Sequence, residues 1–233
     1  MPLALATWYL AVTRGEREWA RTASFLAGCG LLVAALVTPL DTLARTYLVW
    51  AHLVQNVVLA EWAPLLLVLG VPPALARRLA RPRAVRALTR PFVALPLWVL
   101  TYAAWHVPAL YDAALRRPNW LLPLEHATYV LVGVLFWWCV WQNEPHRLSS
   151  GMRAGYVVAA FVLSAPLGLV LALVPNAIYD AYASAPERVF GLSRLEDQQV
   201  GGMTMAAEQS LVFFGVFAYW FLRFLSEQER LEE

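Results

Sequence analysis

The sequence contains no lysine; all 18 of its basic residues are arginine. A Schiff base, and with it a bound retinal, is therefore excluded in a chain of roughly rhodopsin size. It holds two cysteines, Cys29 and Cys139, each inside an apolar stretch and neither in a CxxC pair. A disulfide framework and a zinc ribbon are excluded with them. Charge is scarce as well, at 15% of residues against about 25% in an ordinary soluble domain. No GxSxG, HExxH, P-loop or strand-to-helix GxGxxG is present, so a hydrolytic or redox enzyme is not expected. There is no internal repeat and no low-complexity segment. The first residues show neither a basic leader nor a small-residue cleavage site, and no removable signal peptide is expected.

Apolar residues are what the chain has in excess. They make up 60% of its 233 residues, and mean hydropathy is +0.54. A soluble globule of this size could not hide so much apolar surface, so the expected fold is an all-α, polytopic transmembrane helix bundle embedded in the lipid bilayer. Apolar runs near 20 residues predict six full spans at about 22–40, 47–71, 91–108, 121–141, 154–175 and 200–222. Residues 2–12 make a seventh, short hydrophobic helix. Eleven residues rise only about 16 Å against a hydrocarbon core of about 30 Å, so this piece is either a half-span or part of a longer one. The whole of 1–233 reads as a single integral membrane domain.

The connectors set an orientation. Taken alternately, one side holds Arg14, Arg17, Arg21, six arginines between Arg77 and Arg90, then Arg147, Arg153, Arg223 and Arg230. The other side holds Arg45, Arg116, Arg117, Arg188 and Arg194. Arginine-rich loops stay cytoplasmic, which predicts a cytoplasmic C-terminus. The run at 77–90 is then a topology signal, and no nucleic-acid partner is expected. Tryptophans gather near span ends (Trp50, Trp105, Trp120, Trp141), as an interfacial aromatic belt requires.

In that topology His52, His106 and His126 fall at one depth on the extracytoplasmic side, on three different helices, while His146 lies in an inner connector. Imidazoles at one level of a bundle can converge on copper, zinc or iron, or can each hydrogen-bond a loop carbonyl. His52, Gln55 and Asn56 share one helix face, and a polar stripe in a membrane turns toward the bundle interior. The last span opens with Asp197-Gln198-Gln199-Val200-Gly201-Gly202-Met203-Thr204-Met205. It offers a carboxylate at the outer surface and two thioethers, and histidine with methionine is a soft set suited to Cu(I). Gly201 and Gly202 allow close helix approach. Deeper in the membrane lie Glu61 and Glu208, as a proton relay or as protonated groups bonded to an amide such as Gln209.

These residues also resemble a known family, the multi-pass cytochrome c oxidase assembly factors of the CtaG type found with bacterial caa-type oxidases. The resemblance is carried, in family order, by His52-Leu53-Val54-Gln55-Asn56, Pro64–Pro72, Trp105-His106-Val107-Pro108 with Tyr111-Asp112, Glu125-His126, Phe136-Trp137-Trp138, Ile178-Tyr179 with Tyr182, and Asp197–Met205. It implies a seven-span protein of the bacterial plasma membrane whose partners are cytochrome c oxidase subunits and which helps copper reach the oxidase. The chain departs from the family's His-Met-x-Gln-His at Leu53 and Asn56.

The leading expectation is transient Cu(I) binding at the outer face by His52, His106 and His126. Met203, Met205 and Asp197 would assist, with Gln55, Asn56, Gln198 and Glu125 as supporting polar groups. A metal-free scaffold for oxidase subunits, a haem-handling protein, and a transporter working through Glu61 and Glu208 remain as alternatives.

Overall fold

The computed structural model describes residues 2–15, 18–185 and 187–232, and among them every regular element is helical. In chain order these are α1 (Pro2–Val12), α2 (Trp19–Val37), α3 (Pro39–Thr46), α4 (Val49–Val57), α5 (Ala63–Gly70), α6 (Pro73–Leu79) and α7 (Arg83–Leu88). They continue with α8 (Pro91–Trp105), α9 (Pro108–Arg116), α10 (Leu121–Trp141), α11 (Ser150–Leu173) and α12 (Arg194–Glu232). Arg17, counted above with the arginine-rich side, lies outside the described residues.

Five units are long and apolar enough to cross a membrane: α2, the continuous Val49–Gly70, α10, α11 and α12. The expected span at 91–108 differs. α8 stops at Trp105, and α9 leaves it at 72°, so the two make a sixth crossing only as a bent pair. Pro108 is the cause. The residue before a proline is pushed out of the helical region, and Val107 sits at φ −63°, ψ 125°. The connector expected as a loop at 77–90 holds the end of α6 and all of α7, and that at 108–121 holds α9.

The second full span carries its own irregularity. Between α4 and α5 the backbone widens into a π-helical turn, Val58–Trp62. Pro64 follows it and has no N–H to give the carbonyl four residues back, that of Ala60. A side chain from α8 takes over: Trp98 Nε1 donates to Ala60 O at 3.3 Å. A carbonyl released by proline inside a bilayer needs such a partner, because water is absent there.

Small residues set the close crossings. A Cβ on Gly133 of α10 would meet Ala60 O at 2.3 Å, and one on Gly202 of α12 would meet Ala172 N at 2.5 Å and Gly168 O at 2.7 Å. The core built this way buries Leu32, Leu59, Trp98, Tyr129, Phe136 and Trp137 completely. Large apolar side chains such as Phe92, Leu211 and Phe214 point outward, as expected where the solvent is lipid. α12 has 39 residues and so rises about 58 Å, well beyond a hydrocarbon core of about 30 Å.

The bundle has two chemically distinct ends. At the arginine end, Tyr9 Oη donates to Gly70 O at 2.8 Å, and His146 Nε2 donates to Arg86 O at 2.8 Å. At the other end Asp112 of α9 accepts from Asp180 N at 3.1 Å and Ala181 N at 3.0 Å, tying the 174–193 connector over the helix ends.

Candidate functional site

His52, His106 and His126 all lie at this second end, buried at 0%, 3% and 9% exposure. His52 is in the second turn of α4, and Asn56 stands on the same face one turn later. Opposite them Glu125 of α10 is fully buried, and its Oε1 accepts from His52 Nε2 at 3.2 Å and from Asn56 Nδ2 at 3.2 Å. With Nε2 committed, His52 keeps a lone pair on Nδ1, which is buried and has no partner. His126 follows Glu125 directly, and its ring centre is 6.4 Å from that of His52. Its Nε2 is also buried and unpartnered.

His106 occupies the break between α8 and α9. Its Nδ1 donates to Tyr102 O at 2.8 Å, which fixes the tautomer and leaves Nε2 as the lone-pair nitrogen. That nitrogen too is buried without a partner. Tyr179 Oη donates to His106 O at 3.1 Å, and Tyr129 Oη lies 3.4 Å from Nδ1. Tyr111 joins the two halves, stacked on Tyr179 at 3.8 Å and tilted against His52 at 4.8 Å. Tyr182 closes the layer, its hydroxyl donating to Ala44 O. Burial pushes the Tyr179 and Tyr182 phenols well above the usual phenol range, so both stay protonated donors.

The remaining expected residues divide. Asp197, expected near a metal entrance, instead spends both oxygens on the start of α4: Oδ2 accepts from Val49 N at 2.8 Å and Oδ1 from Trp50 N at 3.0 Å. Gln198 holds the 174–178 turn, accepting from Ile178 N at 2.8 Å and donating to Leu171 O at 3.3 Å. Gln55 donates to Ala35 O at 2.7 Å and Asp41 Oδ1 at 3.1 Å. Met203, expected as thioether help, is 55% exposed on the outside of α12, while Met205 packs beside Leu53, Val57 and Glu208. Glu61, in the π-helical turn, accepts from Gln209 Nε2 at 2.8 Å, and Glu208 accepts from Trp62 Nε1. Gln209 thus serves Glu61 and not Glu208.

Reading by depth did not find Tyr102 and Tyr129. The available signal was helical spacing: Tyr102 lies four residues before His106, and Tyr129 three after His126. Asp112 was legible only as part of a motif, and its job of tying down backbone amides needed the fold.

A copper ion suits this donor set chemically, since three buried imidazole nitrogens are left over. Two metal–nitrogen bonds of about 2 Å, plus about 1 Å from each nitrogen to its ring centre, span about 6 Å. The His52–His126 separation of 6.4 Å admits that arrangement. Among the described residues no three His, Cys, Asp or Glu side chains are grouped so that they could hold a metal ion, so the three histidines expected to converge do not form a three-ligand site here.

A model of the cytochrome c oxidase caa3 assembly factor family (Caa3_CtaG) matches residues 4–227. Among curated proteins, this chain is 26% identical over 229 residues to uncharacterized proteins of Mycobacterium bovis and Mycobacterium tuberculosis, covering 87% of the chain. An uncharacterized protein of Mycobacterium leprae is 26% identical over 221 residues, covering 83% of the chain. The chain spans about a third of the length of these relatives, at 34% and 33%. No solved structure matches.

Proposed function

This chain belongs to the family of cytochrome c oxidase caa3 assembly factors, and on that premise we propose that it carries Cu(I) as cargo between His52 and His126, with His106 in the same buried layer. The observation that carries the reading is the left-over ring nitrogens: Nδ1 of His52, Nε2 of His106 and Nε2 of His126 are buried beside Tyr102, Tyr111 and Tyr129 without a hydrogen-bond partner. A buried polar atom without a partner costs about 1–3 kcal/mol, and three in one layer favour a ligand there. Glu125 orients His52, and the Tyr102 carbonyl orients His106. Two or three neutral nitrogens suit a soft monovalent ion that must be given up again. Met203 and Asp197 fall out of this ligand set, because one faces outward and the other is fully used.

In the same reading the protein sits in a bacterial plasma membrane with its arginine end and C-terminus cytoplasmic. The histidine layer then faces the compartment where an oxidase subunit would receive copper.

The test is anaerobic Cu(I) loading of purified protein against a chromogenic Cu(I) chelator. One ion should be retained by wild type and lost from the His52→Ala/His126→Ala protein. Equal loading of the two, with oxidase maturation restored by both, would reject the copper reading and leave the metal-free scaffold.

A further inference from the structure

The arginine end holds a cavity of about 710 Å³, walled by α2, the 142–149 connector, the start of α11 and the inner part of α12. Its place at that end is fixed by Arg21, whose Nη1 lies 3.3 Å from Val71 O beside α6, and by His146 on Arg86 O. Four guanidinium groups line it, from Arg21, Arg147, Arg153 and Arg223, against the single carboxylate of Glu227.

The charges do not cancel. Arg21 pairs with Glu18 at 2.8 Å and Arg223 with Glu227 at 3.2 Å. Arg147 and Arg153 have no carboxylate partner among the described residues. Arg153 is only 4% exposed. Its Nε donates to Leu148 O at 3.1 Å and its Nη2 to Asn143 Oδ1 at 2.6 Å and Gln142 O at 3.3 Å. The guanidinium lies over the Trp220 ring at 4.4 Å, and the Trp220 indole N–H, also on the cavity wall, is buried without an acceptor. A buried guanidinium without a carboxylate partner, beside an indole N–H without an acceptor, calls for an anion.

We infer that this cavity binds a phosphate group. Guanidinium forks match a tetrahedral oxyanion, and the first residues of α11, Ser149 and Ser150, line the same wall, where a helix N-terminus adds positive potential. The aromatic rings of Trp141, Tyr219 and Trp220 are those of a membrane–water boundary. The phosphate belongs either to an anionic lipid headgroup at the arginine-rich leaflet or to a free anion in solution. The inference is independent of copper and uses none of the histidine layer.

The experiment is native mass spectrometry of the full chain in detergent, titrated separately with phosphatidylglycerol, phosphatidylcholine and inorganic phosphate. One saturable adduct is expected with phosphatidylglycerol or with phosphate, tighter than with phosphatidylcholine; the arm that shows it names the source. Arg147→Gln and Arg223→Gln should each weaken it about 5-fold. Glu227→Gln should strengthen it, a change of sign that a folding defect cannot produce. Equal retention of both lipids with no phosphate adduct, or an adduct indifferent to all three substitutions, overturns the inference.

Discussion

Removing the Asp197 carboxylate should loosen the start of α4 and with it the turn that carries His52. Asp197 is 1% exposed and accepts from Val49 N and Trp50 N, two of the amides that a helix leaves unpaired at its first turn. Each hydrogen bond to a charged group contributes about 1.5–3 kcal/mol. Asp197→Ala strands both amides where water is scarce, for a loss of about 3–5 kcal/mol. At about 2–4 °C per kcal/mol for a chain of this size, the melting temperature should fall by about 10 °C. Asp197→Asn keeps one acceptor and turns a donor on the other amide, so it should lose at least half as much. Thermal unfolding followed by tryptophan fluorescence reads the shift, and amide exchange at Val49 and Trp50 should quicken. A melting point within about 2 °C of wild type for Asp197→Ala would refute the reasoning. So would Asp197→Asn that lost copper at unchanged stability, since that is the behaviour of a ligand and not of a cap.

Gly202→Ala places a Cβ 2.5 Å from Ala172 N and 2.7 Å from Gly168 O, both backbone atoms that no rotamer change relieves. It should destabilise by about 1–3 kcal/mol, whereas Gly30→Ala, with nothing within 4 Å, should be neutral or stabilising by up to about 1 kcal/mol; thermal unfolding of the pair decides. Trp98→Phe leaves the Ala60 carbonyl unpaired at a cost of about 1–3 kcal/mol. Adding Pro64→Ala returns an N–H to that carbonyl, so the double-mutant cycle should be non-additive, and strict additivity would contradict the account of the π-helical turn. Glu125→Gln keeps the shape but weakens the group orienting His52, and should lower Cu(I) retention about 10–100-fold in chelator competition with little change in melting temperature. Wild-type retention would remove Glu125 from the site.

Hydropathy alone located the long helices, because a run of 20 apolar residues has few other fates than a span. At 91–108 it set the end three residues beyond Trp105 and did not see α9, which starts at Pro108 in a new direction. Pro108 marks the end of the run in the sequence, but the helix that follows it and its 72° turn come from the fold. The histidines were legible as a layer because up-down topology converts span position into depth. Their pairings were not, since Glu125 on α10 meets His52, and Tyr179 in the 174–193 connector meets His106, only through helix packing. Asp197 and Met203 show the opposite failure. A carboxylate and a thioether at the right depth look like ligands in a linear reading, but helix rotation hands one to the backbone and turns the other outward.

That contrast separates two kinds of polar residue at the histidine end. Asp197, Gln198 and Asp112 sit where α4 begins and the 174–193 connector folds back, and their side-chain atoms go to backbone groups left open there. They are the internal solvent that lets helices start and stop without water. His52, His106 and Glu125 also bond inward, yet each retains a buried atom with nothing to meet, and His126 Nε2 is left open beside them. Folding alone would not need that second set, for apolar side chains of similar size would fill the layer without stranding a lone pair. On the copper reading proposed above, the remainder, and not polarity as such, is what sets these positions apart, since three imidazole nitrogens are the kind of donor a soft cation takes.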